Sequence, residues 1–298
     1  MTDSAPARAG AADRTAIRPP RVAFQGEPGA FSEDAVLSFF AHSEAHAVPT
    51  WRAVFDSVQS GAVDAGVAAI ENSLAGTIRE TYDLLAEFDL RIVGAVSVRV
   101  RLALVALPGE TLNSIGRVYS HAQALAQADE FLRTREWQVM TTYNTAGAAR
   151  MIAEGTERGA AAVASPRVAG LYGLEIVVPD IQTGTGNRTR FVVLARDPLA
   201  TGWVASSVED RPRMTTLVFA VRNVPGSLHR CLGVFAERGL NLSRLESRPS
   251  RAARWEYVFW VDLDAAADDQ LTAEALDELR RQAAMVRVLG SYPRPLEE

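Results

Sequence analysis

The chain has 298 residues and is 48% hydrophobic, which is too long for one ordinary domain and sufficient for two with substantial cores. The formal net charge is −5, and both signs are spread along the chain, so no basic stripe is available to follow a nucleic-acid backbone. The single cysteine, Cys231, excludes an internal disulfide framework and a cysteine-based zinc cluster, and it fits a cytoplasmic location. Because the chain has no basic stripe, we expect no nucleic-acid partner.

The first twenty residues mix Ala, Pro, Gly and both charges without an apolar core segment. This composition is unlike a signal peptide or a membrane anchor. We expect residues 1–20 to be a disordered tail, and we expect no membrane association.

From residue 21 onward, strand and helix patterns alternate, which predicts a parallel sheet with crossover helices. "RVAFQG" predicts a strand, and "FSEDAVLSFFAH" predicts a helix that Ser32 opens. A similar order recurs in the second half, where a small-residue strand again follows a helix that ends in Gly ("AGVAAIENS", then "AAAVASPRV"). The pattern predicts an α/β region over residues 21–197 with two lobes and a cleft. Helix N-termini at such a cleft favour an anionic ligand.

Residues 198–213 are rich in Pro, Ser and charge and predict a linker. The segment 214–293 then follows the order strand, helix, strand, strand, helix, strand. A small ferredoxin-like (βαββαβ) module is therefore expected at the C-terminal end.

Polar side chains are concentrated where the predicted strands end. Glu71, Asn72 and Ser73 follow a small-residue strand and exceed what a helix cap needs. Ser120 stands next to a histidine in the equivalent turn of the second lobe, but adjacent residues rarely have the geometry of a nucleophile and its base. A serine hydrolase is therefore not expected.

Two other motifs give only weak evidence for a metal site or a cofactor site. His42 and His46 have i,i+4 spacing on a predicted helix end, but no third ligand is placed for a metal, so no metal site is expected. The run "GTGNRTRF" lacks the third glycine of a dinucleotide fingerprint and enters a strand where that motif would leave one. No cofactor loop is predicted.

The motifs "GAFS", "IENS…G", "SH-x-Q", "NTA", "YGL" and "N-x-TRF" stand in the same order as in the prephenate dehydratase family, which residues 21 to about 196 closely resemble. The C-terminal module resembles an ACT domain, with "NVPGSL" and "LESRP" at the effector-binding motifs. Two positions depart from the usual family pattern, Ala69 before "IENS" and Ala122 in "SHAQ", and neither removes a polar side chain.

The resemblance implies that the substrate is prephenate, which loses CO2 and its ring hydroxyl to give phenylpyruvate without a metal or organic cofactor. Thr189 would hydrogen-bond the departing hydroxyl, Arg190 would hold the pyruvyl carboxylate, and Glu71 is a candidate proton donor. The remaining residues expected to line the cleft are Phe31, Ser32, Asn72, Ser73, Ser120, Gln123, Gln127, Thr145, Asn187 and Phe191.

The ACT resemblance implies feedback regulation by L-phenylalanine at a subunit boundary of a homodimer or homotetramer. The residues expected to hold the effector are Asn223, Gly226, Leu228, Glu246, Ser247 and Arg248. Two alternatives stay open at this point: an arogenate dehydratase, and a non-catalytic two-lobed amino-acid sensor of the same architecture.

Overall fold

The computed structural model describes residues 18–249 and 257–295. The tail expected over residues 1–20 lies outside the described residues except for residues 18–20. Among the described residues, no helix is both long enough and apolar enough to cross a membrane.

The strands are numbered in chain order. They are β1 (Arg21–Gln25), β2 (Glu44–Val48), β3 (Ala65–Asn72), β4 (Gly76–Thr77), β5 (Arg91–Arg99), β6 (Ala103–Ala106), β7 (Arg117–Ser120), β8 (Gln138–Thr141), β9 (Ala160–Ala164), β10 (Glu175–Val178), β11 (Arg188–Ala195), β12 (Arg213–Ala220), β13 (Leu242–Pro249), β14 (Tyr257–Leu263) and β15 (Met285–Pro293).

The helices are numbered in the same way. They are α1 (Phe31–Phe39), α2 (Trp51–Gln59), α3 (Arg79–Glu87), α4 (Ala122–Gln127), α5 (Asp129–Leu132), α6 (Thr145–Gly155), α7 (Arg167–Tyr172), α8 (Ser206–Glu209), α9 (Ser227–Ala236) and α10 (Gln270–Gln282).

The first lobe is built on a sheet with the strand order β2-β1-β3-β11-β5, and β4 pairs with β3. The chain returns from the second lobe to insert β11 between β3 and β5, antiparallel to both. The expected parallel sheet is therefore only partly correct: β11 runs antiparallel to its neighbours in the first lobe, and β6 runs antiparallel to β9 and β10 in the second. The insertion places the segment "NRTRF" in the middle of the sheet.

The start of the first lobe also differs from the prediction. Helix α1 begins at Phe31 with Ala30 at its N-cap, and the Ser32 hydroxyl donates 2.5 Å to the carbonyl of Gln25 instead of capping the helix. The helix ends at Phe39, and His46 lies in β2, which pairs in parallel with β1. The helix predicted to continue to His42 is therefore too long.

The second lobe has a sheet of order β10-β6-β9-β7-β8, covered by α6 and α7 on one face and by α4 on the other. The C-terminal module has the antiparallel order β13-β14-β12-β15, with α9 and α10 packed on one face. The predicted fold class was α/β, with two lobes like those of periplasmic binding proteins followed by a ferredoxin-like module. The sheet topology confirms two α/β lobes and a ferredoxin-like module.

The free face of the C-terminal sheet packs on the first lobe. Trp260 and Tyr292 of that sheet belong to the same buried cluster as Val192 and Leu194 of β11. Residues 198–213, predicted as a linker, contain α8, and Val204 forms an isolated bridge with Phe40 of the first lobe. The C-terminal module thus covers part of one face of the first-lobe sheet, and we call this face the rear face.

Candidate active site

A cavity of about 350 Å³ lies between the two lobes, where the carboxyl ends of several strands meet. Its lining includes eight residues predicted for the site: Phe31, Ser32, Asn72, Gln123, Gln127, Thr145, Thr189 and Phe191. We call this cavity the cleft.

Hydrogen bonds to Asn72 fix the orientation of the Thr189 hydroxyl. The side-chain carbonyl of Asn72 accepts from the backbone N–H groups of Leu74 and Ala75, at 3.1 and 2.9 Å, so its amide nitrogen must point the other way. That nitrogen lies 3.0 Å from Oγ1 of Thr189 and 2.8 Å from Oδ1 of Asn187. The carbonyl of Arg188, at 3.1 Å, is a third acceptor for the two protons of this nitrogen. Because an amide nitrogen cannot accept a hydrogen bond, the hydroxyl proton of Thr189 is not used by Asn72 and is left for a ligand in the cleft.

Three helices begin at the cleft wall. Phe31 opens α1, His121 caps α4 and Thr145 opens α6, and all three residues line the cavity. The His121 ring accepts at Nδ1 from the backbone N–H of Gln123, at 3.3 Å, so a neutral ring carries its proton on Nε2. The Oδ1 atom of Asn144 accepts from Gly147 N at 2.5 Å and caps α6. Free backbone N–H groups and helix dipoles therefore make the cleft attractive to anions.

The described residues that line the cleft include no Asp, Glu, Lys or Arg. Its titratable side chains are His121 and Tyr143. Desolvation and the nearby Glu27 carboxylate raise the pKa of Tyr143, whose hydroxyl donates 3.3 Å to that carboxylate. Within the described lining, the groups that can attract an anion are therefore backbone dipoles rather than Lys or Arg side chains.

The structure does not bring Arg190 and Glu71 into the cleft, in contrast to their predicted roles. Successive side chains of a strand point to opposite faces, so Thr189 in the cleft directs Arg190 to the rear face. There Arg190 forms an ion pair with Asp262, at 3.4 Å, and Glu71 forms one with Arg244, also at 3.4 Å. Both charged groups face the C-terminal module.

Three other predicted residues support the site from outside the lining. Ser120 is fully buried, and its hydroxyl donates 2.5 Å to the carbonyl of Val163. Ser73 accepts from the backbone N–H of Arg188, at 3.0 Å, and Asn187 lies beside a neighbouring cavity of about 480 Å³. These residues join β3 to the start of β11 and tie β7 to β9, so their contribution is to hold the strand ends together.

Twelve of the twenty lining residues were not predicted, and five of these have polar or aromatic side chains: Gln25, Trp51, His121, Tyr143 and Asn144. His121 and Asn144 each stand directly before a predicted helix in the second lobe, which is the position of a helix cap at a strand end. That signal was present in the sequence. Nothing in the local pattern of Trp51, the first residue of α2, distinguishes it from an ordinary packing residue.

A second cavity, of about 310 Å³, lies in the C-terminal module. Asn223, Gly226 and Leu228 line it, as expected for the effector motif, together with Tyr257 and Phe259 of β14.

Glu246 and Arg248 of the same predicted effector site point instead to the first lobe. Glu246 accepts from the hydroxyl of Thr77 at 2.6 Å, and Arg248 pairs with Asp83 at 3.1 Å. Ser247, between them on β13, is exposed on the other face. Alternation along β13 therefore separates "LESRP" into two faces, and it does not line this cavity within the described residues.

The comparisons with known proteins agree with this architecture. Residues 22–199 match the family model for prephenate dehydratase, and residues 215–281 match the ACT domain model. The chain is 41% identical over 282 residues to arogenate dehydratase/prephenate dehydratase 2, chloroplastic, from Arabidopsis thaliana, covering 92% of this chain and 72% of that protein.

Two solved structures are similar along most of the chain. The prephenate dehydratase of Arthrobacter aurescens in complex with L-Phe has a TM-score of 0.79 and 31% identity, and the match covers 92% of this chain and 90% of that one. A structure described as GqqA, a quorum quenching acylase, has a TM-score of 0.82 and 34% identity, with coverages of 92% and 97%.

Proposed function

Because the chain belongs to the prephenate dehydratase family and carries an ACT domain, we propose that it converts prephenate to phenylpyruvate with loss of CO2 and water. The observation that carries this proposal is the Thr189 hydroxyl, which Asn72 holds with its proton free toward an anion-binding cleft. Aromatisation drives the reaction, so the protein needs to orient the ring and assist departure of the hydroxyl.

Thr189 would donate a hydrogen bond to the leaving hydroxyl, and this bond would strengthen as negative charge develops on the oxygen. Asn72 cannot take the proton from Thr189, because its amide nitrogen is a donor. His121 in its neutral form has an Nε2–H group that can donate a second hydrogen bond to the departing oxygen. The proton that completes the water would come from solvent, because a neutral imidazole that lost this proton would become an anion. Glu71 is not suited to that role, since it pairs with Arg244 on the rear face.

The two carboxylates of prephenate would be bound by the N-termini of the helices that begin at the cleft, with the Thr145 hydroxyl beside one of them. This replaces the bidentate Arg190 contact expected from the sequence. Dipoles bind a dianion less rigidly than an ion pair does, which suits a carboxylate that must leave as CO2, because tight ground-state binding would oppose its loss.

The charge of the cleft also bears on the choice between prephenate and arogenate. Arogenate carries an ammonium where prephenate has a keto oxygen. Among the described lining residues no carboxylate is available to pair with an ammonium, and helix N-termini repel a cation. Both features support the keto acid as the preferred substrate.

The test is turnover by the purified protein with each compound, separating phenylpyruvate from phenylalanine by chromatography. We expect a higher kcat/KM for prephenate. A higher value for arogenate would overturn the substrate assignment and keep the reaction, whereas no turnover of either compound would favour the non-catalytic sensor.

We further propose that L-phenylalanine binds the cavity lined by Asn223, Gly226 and Leu228 and inhibits the enzyme. The turn that carries Asn223 stands before α9, whose N-cap, Gly226, has a φ of 79°, so its backbone N–H groups are directed toward an amino-acid carboxylate. Isothermal titration should detect binding that Asn223→Ala weakens. Equal heats for wild type and variant would contradict this location.

The similarity to the quorum quenching acylase makes acyl cleavage a second candidate. Acyl transfer needs a nucleophile beside a base. Thr189 in the cleft is paired with an amide, and the hydroxyl of Ser120, which lies outside the lining, is bound to a carbonyl, so neither is activated in this way. We expect no hydrolysis of an acylated quorum-sensing signal. Release of the free acid from such a signal by the wild type but not by Thr189→Ala would reverse this conclusion.

We also propose a homodimer or homotetramer located in the cytoplasm. β13 is an edge strand of the ACT sheet, and among the described residues no strand pairs with its outer edge, so this edge can extend the sheet to a second copy. Light scattering after size-exclusion chromatography would give the mass directly.

A further inference from the structure

The rear face of the catalytic strands is charged directly behind the cleft. Thr189 and Asn72 point into the cleft, and the residues next to them in sequence, Arg190 and Glu71, point to the ACT domain. The side chain of Arg190 is 21% exposed and that of its partner Asp262 is 6% exposed. Breaking an ion pair that is this deeply buried leaves an uncompensated charge, so the two side chains are expected to keep each other in place.

Asp262 is itself fixed within the ACT sheet. Its Oδ1 accepts from the hydroxyl of Thr216 at 2.6 Å, while its Oδ2 faces Arg190. Since that bond uses the only hydroxyl proton of Thr216, the contact at 2.5 Å between Thr216 and Tyr292 has the tyrosine as donor. The carboxylate thus stands at the end of an ordered chain that crosses β14, β12 and β15.

The backbone next to Arg190 is where the sheet of the first lobe is irregular. Arg190 of β11 pairs with Glu71 of β3, and Phe191 pairs with Ala69, so Ile70 is an extra residue in β3 and the ladder is interrupted immediately after Arg190. A bulge of this kind disrupts pairing locally and re-aims the neighbouring side chains. At this point a side-chain anchor on the rear face can determine the direction of Thr189.

A second pair repeats the arrangement on β3. Arg244 of β13 contacts Glu71, adjacent to Asn72, and its guanidinium carbon lies 5.0 Å from the ring centroid of Tyr82. Arg244 also forms an ion pair with Glu246, at 3.1 Å, and the Glu246 carboxylate accepts a hydrogen bond from the hydroxyl of Thr77. Both members of the Asn72–Thr189 hydrogen bond therefore have an ACT-domain ion pair behind them.

We propose that Arg190 and Asp262 are a positioning pair, through which the ACT sheet sets the orientation of the Thr189 hydroxyl. Neither residue lines the cleft; Asp262 holds Arg190, and Arg190 holds β11 at the point where it faces the irregular segment of β3. The pair also gives a route to the effector cavity, because Phe259 on β14 lines that cavity and Asp262 lies three residues further along the same strand. This inference rests on the proposed dehydratase function.

The test is a double-mutant cycle with Asp262→Asn, Arg190→Gln and the combined variant. Asp262→Asn keeps the size of the side chain and removes its charge. We expect about a tenfold fall in kcat for each single variant, a KM within about twofold of wild type, and no further loss in the double variant, because both changes break one interaction.

The matched control is Arg287→Gln. Arg287 on β15 donates to the carbonyls of Leu85 and Phe88, at 3.3 and 2.7 Å, and so joins the same two domains away from β11. Its kcat should stay within about twofold of wild type although a domain contact is lost. An equal fall in kcat for this control, additive losses in the cycle, or an unchanged kcat in Asp262→Asn would overturn the proposal.

A measurement independent of turnover separates this proposal from the assigned reaction. Amide hydrogen exchange of residues 188–191 should be faster in Asp262→Asn than in wild type and unchanged in Arg287→Gln. If the wild type converts neither prephenate nor arogenate, the proposed function fails and this exchange pattern still decides the positioning role. Equal exchange in all three proteins would reject that role.

Discussion

On the cleft face of β3 and β11, Asn72 and Thr189 form a neutral hydrogen-bonded pair, whereas on the rear face Glu71 and Arg190 form ion pairs with the ACT sheet. The two charged residues that the sequence suggested for catalysis therefore lie outside the lining of the cleft. A cleft with neutral side chains can still bind a dianion, because three helices begin at its wall. The ion pairs of Glu71 and Arg190 thus join the two domains, whereas the hydrogen bond between Asn72 and Thr189 orients the hydroxyl in the cleft.

The strongest test of the cleft face is removal of the Thr189 hydroxyl. Thr189→Ala should lower kcat about 10²- to 10³-fold, the usual loss for one donor that acts in the transition state. Thr189→Ser keeps the hydroxyl and should retain most of the activity, which excludes a packing effect as the cause. Steady-state kinetics with prephenate measures both, and an alanine variant with near wild-type kcat would remove Thr189 from the mechanism.

The next effect concerns the direction of the hydrogen bond rather than its presence. Asn72→Asp keeps an oxygen for the N–H groups of Leu74 and Ala75 but replaces the donor that faces Thr189 by an acceptor. Thr189 would then donate to the aspartate and lose its free proton. We expect kcat to fall about 30-fold, equivalent to about 2 kcal/mol for one misdirected buried bond.

Asn72→Ser is the matched comparison, since it removes the amide without adding a charge. It should be less damaging to kcat than Asn72→Asp although it removes more hydrogen bonds to the turn. The reverse order, with the serine variant the less active of the two, would mean that Asn72 matters for the turn and not for the direction of the Thr189 proton.

Part of this two-faced arrangement could be predicted from the sequence. The alternation of side chains along a strand already separates Thr189 from Arg190 and Asn72 from Glu71. The motif order also gave the two lobes, the ferredoxin-like module and the polar residues at the strand ends. Applying alternation to "NRTRF" would have shown that its threonine and the second arginine cannot both face one ligand.

Other features depended on tertiary structure. The return of β11 into the first sheet, and the register shift beside Arg190, result from pairing with strands that are distant in sequence. The face covered by the ACT domain likewise follows from packing of Trp260 and Tyr292 on the first lobe. Trp51 reaches the cleft by the placement of a whole helix, for which a local pattern carries no signal.

The packing of the rear face can be tested without touching any charge. At Gly290 of β15, an added Cβ would lie 1.9 Å from the carbonyl oxygen of Ile92 in β5, so the two domains would have to separate there. Gly290→Ala should destabilise the protein by about 2–3 kcal/mol, as overpacking of a close contact does. Gly170→Ala, where nothing lies within 4 Å of the added Cβ, is the control and should not lower the free energy of unfolding. Denaturant unfolding of both variants measures the difference, and equal stability would show that the domains do not press together at β15.

The smallest expected effect is that of removing an ion pair remote from both the cleft face and the rear face. It shows how much the loss of a charge changes stability and activity when neither face is involved. Arg18 donates to Asp64 at 2.8 and 2.7 Å, and this bond, together with the backbone N–H of Arg21, holds the pKa of Asp64 well below its usual range. A depressed carboxyl pKa stabilises the folded state above the unfolded value of about 3.9, and the benefit is lost as the pH falls below it. The Tm difference between wild type and Asp64→Asn should therefore be constant from neutral pH down to about pH 5 and shrink below about pH 4.

Turnover of Asp64→Asn at neutral pH should equal that of wild type, because the Arg18–Asp64 pair contacts neither β11 nor the ACT sheet. Asp262→Asn should differ in this respect. A Tm difference that is the same at low and neutral pH would mean that the ionised form of Asp64 is not favoured by folding.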